Sequence, residues 1–135
     1  MSTFSLKIVT PDGLIFDGQA EKLIVRTTEG DMAVLAKHID CVSALGMGMA
    51  TVVDAEGNRR IAACIGGMLS VQNSAVTLVP TTFEWAETID EARAQLSQER
   101  AEKVLKDSNA SATDIALAEA RLHRALVRRS VASYK

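Results

Sequence analysis

Glycine and proline disappear from this chain after Pro80. All eight glycines and both prolines lie within residues 1–80 of the 135, and none follows from Thr81 onward. The absence divides the sequence into a part with frequent chain reversals and a part that can run as uninterrupted helix. Cysteine is almost missing too. Cys41 and Cys64 are the only two, too few for a disulfide framework in a chain of this length. With His38 and His123 they make no metal-ligand spacing, so they read as buried free thiols. No apolar run approaches the ~18–20 residues of a membrane-spanning helix. The amino-terminal Met1-Ser2-Thr3-Phe4-Ser5-Leu6-Lys7 has no basic stretch leading into an apolar one, so it does not read as a secretory signal. Excess positive charge is also lacking. Fifteen Lys and Arg face seventeen Asp and Glu, and the pI is near 5.7, which excludes a dedicated nucleic-acid binder. There is no G-x-x-x-x-G-K-[ST] phosphate loop and no G-x-S-x-G elbow. No residue set in the sequence points to catalysis or a bound metal, and no cofactor is required.

What is present begins with period-two patterning. Phe4, Leu6 and Ile8 alternate with Ser5 and Lys7, as in a half-buried strand. Thr10-Pro11-Asp12-Gly13 then supplies a turn. Short apolar or β-branched runs follow at 14–16, 22–28, 32–35, 51–53, 59–65, 68–71 and 75–79. Glu29-Gly30-Asp31, Asp54-Ala55-Glu56-Gly57-Asn58 and Gln72-Asn73-Ser74 fall between them as turns, and Gly66-Gly67 marks a tight bend. Eight to ten short strands with close turn signals predict a small antiparallel sandwich or barrel.

Residues 87–135 read as two antiparallel helices. Thr88-Ile89-Asp90-Glu91 fits a capping box, and Ile89, Ala92, Leu96 and Leu105 form an apolar stripe. The polar connector Asp107-Ser108-Asn109-Ala110-Ser111 leads into a second helix that starts at Ser111 with Asp114 three residues on. Its stripe is Ile115, Ala118, Leu122, Ala125 and Leu126. Ten of these 49 residues are alanine, so the hairpin has little to bury and helices of this length are marginal alone. Such a hairpin needs a docking surface and can have more than one.

Arginine clusters on these helices. Arg121, Arg124 and Arg128 share one face of the second, and Asp90, Arg93 and Arg100 one face of the first. Antiparallel closure brings the start of the first towards the end of the second. Converging guanidinium forks match phosphate oxygens. The alternative is solvation, or pairing with Glu87, Glu99 and Glu119.

Taken together, Ile8-Val9-Thr10-Pro11-Asp12-Gly13, Thr28-Glu29-Gly30-Asp31 with His38, Gly66-Gly67-Met68-Leu69-Ser70-Val71, Ala86-Glu87 and Ile89-Asp90-x-x-Arg93-Ala94 stand in a specific order. In this the sequence resembles the epsilon subunit of the F-type ATP synthase over essentially its whole length. The resemblance implies an α+β architecture: a ten-stranded antiparallel β-sandwich at 1–86, then an antiparallel α-helical hairpin at 87–135. It implies a non-catalytic rotor subunit of the central stalk, coupling the membrane c-ring and gamma subunit to the alpha/beta catalytic head during ion-gradient-driven ATP synthesis. Glu29, Gly30, Asp31 and Met32 correspond to the loop facing the c-ring, and His38 to the face near gamma. Ala33, Ala36 and Lys37 depart there from a common Gly and Pro-x-Gly-like pattern, and Asp40 stands where proline is frequent.

The resemblance also implies a regulatory ligand. Ile89, Asp90, Arg93 and Ala94 match the I/L-D-x-x-R-A motif of members that bind ATP, and Glu84, Arg100, Arg124 and Arg128 join them by matching position. The hairpin is then an inhibitor of ATP hydrolysis: packed it permits rotation, extended into the head it blocks it, and ATP favours the packed form. Location follows from the complex: peripheral, at the cytoplasmic face of a bacterial cell membrane, held there indirectly. A structural coupler without inhibition and a free-standing nucleotide-sensing module are the alternatives.

Overall fold

A computed structural model describes residues 2–134. The chain divides into two compact units, one ending at Trp85 and the other beginning at Ala86.

The first unit holds nine strands: β1 (Phe4–Thr10), β2 (Gly13–Thr27), β3 (Gly30–Val34), β4 (Cys41–Ala44), β5 (Met47–Asp54), β6 (Arg59–Ile65), β7 (Met68–Gln72), β8 (Ala75–Val79) and β9 (Thr82–Trp85). Nine strands are described where ten were expected, and the long β2 pairs at both of its ends. Residues 13–20 of this 15-residue strand pair with β1, whereas residues 23–27 pair with β3 on one side and residues 20–24 with β5 on the other. The register slips between Ala20 and Lys22, and the bulge there bends the strand from one layer into the next. One layer therefore runs β4-β7-β8-β1-β2 and the other β3-β2-β5-β6-β9. The pairing is antiparallel throughout except that β1 lies parallel to β8, the contact that joins the chain's first strand to a much later hairpin. The core sits between the layers. Leu6, Ile8, Leu69 and Leu78 from one meet Leu23, Val25, Val34 and Val52 from the other in one buried cluster. Alternation puts them there, since Phe4, Leu6 and Ile8 are buried and Ser5 and Lys7 exposed.

The two ends of β2 carry the same turn device. Thr10 Oγ1 donates to the carbonyl of Gly13 and accepts from the N–H of Asp12. Thr27 Oγ1 likewise donates to Gly30 and accepts from Glu29. Both glycines have positive φ, 129° and 124°, which a side chain rarely adopts. The Thr-x-acid-Gly repeat at 10–13 and 27–30 is thus a fold signal in the sequence. Gly67, at φ 95°, is confined more severely. A Cβ there would overlap the Val79 carbonyl oxygen and stand 2.6 Å from Pro80 Cα. This is where the chain leaves β6 for β7, and the Gly67 carbonyl accepts from the Leu45 N–H. The expected hairpin at 54–58 is present. Asp54 accepts from the N–H groups of Asn58 and Glu56; the Asn58 backbone bond foremost lowers its pKa from the ordinary value.

The second unit opens with a 3₁₀ turn (Ala86–Thr88), followed by α1 (Glu91–Leu105) and α2 (Ala112–Ala132). Ser111 caps α2 with the expected capping box to Asp114. At α1 the expected cap shifts: Asp90, not Thr88, is the N-cap, and its carboxylate accepts from the Arg93 N–H at 3.0 Å. Thr88, the expected cap, is the last residue of the 3₁₀ turn instead. The apolar stripes change as well. Ala92 and Leu96 are exposed, and α1 buries Ala94 and Ala101. In α2 Ala118 and Ala125 are buried as expected, joined by Val131 and Ala132, while Ile115 and Leu126 stay exposed. The helices meet on small residues, because alanines spaced by seven let two backbones approach where leucines hold them apart. No helix among the described residues is long and apolar enough to cross a membrane.

Candidate functional site

The first candidate surface lies on the β unit. Thr28 and Glu29 form the two-residue link from β2 to β3, so Glu29, Gly30, Asp31 and Met32 follow one another along a tight hairpin. Thr27 fixes this turn from inside, as described above. Arg26 holds it from outside: its Nη1 lies 3.4 Å from Asp31 Oδ1, and the two residues are direct partners across the strands. The stem of Arg26 occupies the space left by a glycine of β5, since a Cβ on Gly48 would stand 2.6 Å from Arg26 Cβ. Sequence reading missed Arg26. Its signal was an opposite charge five residues from Asp31 across a turn, facing the Gly46-Met47-Gly48 stretch.

His38 lies in the segment between β3 and β4 and is half-buried, its Nδ1 2.8 Å from the Ile39 carbonyl. Lys37 before it has φ 65°, the left-handed conformation that a glycine at this place accommodates more easily. Asp40 ties the segment down by accepting from the Asn73 N–H at 2.9 Å. Beside it lies an apolar outer face. Ile39 is 77% and Val42 67% exposed, and Met68 and Val79, neighbours across β7 and β8, are each nearly half exposed.

The second candidate set divides between the units. Glu84 stands on β9 of the first unit, while Ile89, Asp90, Arg93, Ala94, Arg100, Arg124 and Arg128 belong to the second. Ile89 and Ala94 are buried and Asp90 is exposed. Arg93 and Arg100 are exposed and carry no ion pair among the described residues; Arg124 and Arg128 are half-buried. Arg124 Nε donates to its own helix at Ala120 O, 3.3 Å.

Helix geometry places these arginines on one flank. Arg93, Arg100 and Arg124 each precede a buried alanine of the seam (Ala94, Ala101, Ala125), a rotation of about 100°. Arg121 and Arg128 follow seam alanines by three residues, about 60° to the same side. The sense of rotation reverses in the antiparallel partner, so both helices present arginine on the same side. Arg129 Nη1 donates to Gln98 Oε1 at 2.7 Å, which puts residue numbers summing to about 227 opposite each other. Arg100 is then level with Val127, beside Arg128 and near Arg124. Arg93 lies farther along, about 10 Å from Arg100. The arrangement concentrates positive charge suited to an anion with several oxygens. Cys64 is buried, and burial pushes its thiol up to about 12, so it is no nucleophile at neutral pH. Among the described residues no three His, Cys, Asp or Glu side chains gather as metal ligands.

Comparison with known proteins matches both units. The family model "ATP synthase, Delta/Epsilon chain, beta-sandwich domain" fits residues 3–86, and "ATP synthase, Delta/Epsilon chain, long alpha-helix domain" fits residues 87–133. The ATP synthase epsilon chain of Ruminococcus albus is 39% identical over 136 residues, covering all of both chains. That of Bacillus velezensis is 39% identical over 132 residues, 98% of each. A chain in the cryo-EM structure of the Euglena gracilis mitochondrial ATP synthase, OSCP/F1/c-ring, shares the fold with a TM-score of 0.85 at 21% identity; the match covers all of this chain and 83% of that one. With both units matched and relatives aligned end to end, the chain belongs to the epsilon-subunit family of the F-type ATP synthases.

Proposed function

We propose that this chain is a non-catalytic rotor subunit whose β unit docks on gamma and on the c-ring, and whose helical unit is an ATP-responsive inhibitor of ATP hydrolysis. The observation that carries the reading is the division of labour between a heavily buried sandwich and a hairpin closed on alanine. Supporting the docking part, the hairpin at Glu29–Met32 is tied at both ends and offers two carboxylates. His38 borders the exposed apolar face of Ile39, Val42, Met68 and Val79, the kind of surface that marks a protein contact. The Tetrahymena thermophila mitochondrial ATP synthase central stalk and c-ring structure contains a chain of the same fold (TM-score 0.62, 13% identity, 95% of each chain). Association with gamma, the c-ring and the alpha/beta head would place this chain at the membrane without inserting into it.

The arginine flank supports the ATP part. Arg100, Arg124 and Arg128 face phosphates as forks, Arg93 extends the row, and the N-cap Asp90 beside buried Ile89 and Ala94 lies at the same end. Binding only to the folded hairpin stabilises it by RT ln(1 + [L]/Kd), about 1.4 kcal/mol at ten times Kd. A 1:99 to 99:1 reversal needs about 5.5 kcal/mol, so regulation requires packings already near balance. A hairpin that buries mainly alanine supports that reading.

The test combines two measurements. A catalytic head reconstituted with the full chain should hydrolyse ATP more slowly than one with residues 1–86, the difference shrinking as ATP rises. Calorimetry of the isolated chain should show ATP binding that Arg93→Ala weakens roughly tenfold, the loss of one charge-assisted contact. Equal hydrolysis rates leave the chain a pure coupler, and unchanged affinity removes Arg93 from the site.

A further inference from the structure

An alanine seam brings two helices together but does not decide how far one slides along the other. Ala94 and Ala101 on α1, and Ala118, Ala125 and Ala132 on α2, all repeat at seven residues. A slip of one heptad, about 10 Å, therefore still sets alanine against alanine. The arginine flank is sensitive to that slip, since it would carry Arg100 away from Arg124 and Arg128. Something other than the seam must select the register.

The flank opposite the arginines carries a contact that does. Gln98 lies four residues after Ala94, and Arg129 three before Ala132, which puts both on that side. Arg129 Nη1 donates to Gln98 Oε1 at 2.7 Å across 31 residues of sequence. A heptad slip would move Gln98 to the level of Leu122, break this bond and leave Arg129 level only with Glu91, an exposed carboxylate at the first residue of α1, where an ion pair contributes little. A polar pair at one position of an apolar helix contact is the best-attested way to specify register. The pair is also incomplete: Arg129 Nε is buried with no partner, while one carboxamide oxygen satisfies a single edge of a fork that could engage two.

We propose that Gln98 and Arg129 are positioning residues: a half-satisfied clasp that selects the register of the folded hairpin and thereby assembles the anion-binding arginine flank. This rests on the nucleotide reading above for the ligand, though not for the clasp. The unpaired Nε makes the closed form easier to open than a full fork would. Gln98→Glu completes the fork, because a carboxylate carries charge and accepts from Nη1 and Nη2 together.

The test uses the full chain in four variants: Arg129→Ala, Gln98→Ala, the double variant and Gln98→Glu. Hydrogen exchange of the α1 and α2 amides is followed without nucleotide, and ATP affinity by calorimetry. Either single variant should speed exchange in both helices roughly tenfold, the double variant no more than the worse single, and Gln98→Glu should slow exchange below the parent. ATP affinity should fall in the alanine variants in proportion to the loss of closed population, by at most the same factor. Independent, multiplying effects of the two alanines, or Gln98→Glu exchanging like the parent, would overturn the clasp. If the parent chain gives no heat with ATP, the nucleotide reading fails, and the exchange cycle still decides the clasp.

Discussion

The two units solve the same problem of burial with opposite means. The sandwich encloses Leu6, Ile8, Leu23, Leu69 and Leu78 completely, together with valines from both layers. The hairpin's buried side chains are mainly alanines, with Ile89 and Val131 the larger exceptions, and it leaves Leu96, Ile115, Leu117 and Leu126 exposed. Burial of leucine or valine contributes about 1.5–3 kcal/mol per side chain, and alanine far less. One region is therefore a platform whose geometry is over-determined; the other is a pair of helices held by propensity, caps and a few polar bonds. The contrast suits the proposed function, in which the first unit stays attached while the second changes shape.

The contrast breaks most visibly at Gly67. Gly67→Ala combines a disfavoured φ with overlap on β8, and should destabilise the first unit by about 3 kcal/mol or more. Urea unfolding followed by the fluorescence of Trp85, the single tryptophan, reports it. Hydrogen exchange in α1 and α2 should change much less than in the strands. Within the hairpin, Ala125→Leu should cost about 1–3 kcal/mol, because the added volume forces the helices apart. Leu96→Ala on the exposed side should stay within about 0.5 kcal/mol. Exchange protection of α2 separates the two, and equal effects would show that the seam is not where the helices are held.

A small, pH-dependent effect concerns Cys64. Burial raises its pKa from the ordinary 9.0 to about 12, so the thiol stays neutral in the folded sandwich while the unfolded chain ionises. Stability from this group is fully present below pH 9 and is lost as pH rises towards 12. Between pH 9 and 10 the loss is about 1 kcal/mol or less, visible as a falling Tm that Cys64→Ala should remove. The half-buried Cys41 should be alkylated well before it.

Much of this was legible beforehand, and the failures have physical causes. The strands were readable because alternation and turn residues are local: Phe4-Ser5-Leu6-Lys7-Ile8 fixes an inward and an outward face without reference to anything distant. Ser111 and Asp114 were readable for the same reason. The α1 stripe was misread because Ala92 and Leu96 fit helical spacing as well as Ala94 and Ala101 do, and leucine outranks alanine on hydrophobicity alone. The seam follows backbone approach, a property of two helices jointly. Thr88 lost the cap to Asp90 since a 3₁₀ turn intervenes. Arg26, Gln98 and Arg129 escaped notice because each acquires its role from a partner on another strand or helix.

The sequence alone determined the division near residue 85, the turn chemistry at both ends of β2, the inward faces of the strands and the concentration of arginine in the last third. Each depends on residues within one or two turns of one another. Only the tertiary structure decided that one strand serves two layers, that alanine and not leucine closes the hairpin, and that its arginines share a flank opposite the Gln98–Arg129 bond. Those depend on how separate segments meet, and no local preference encodes that meeting.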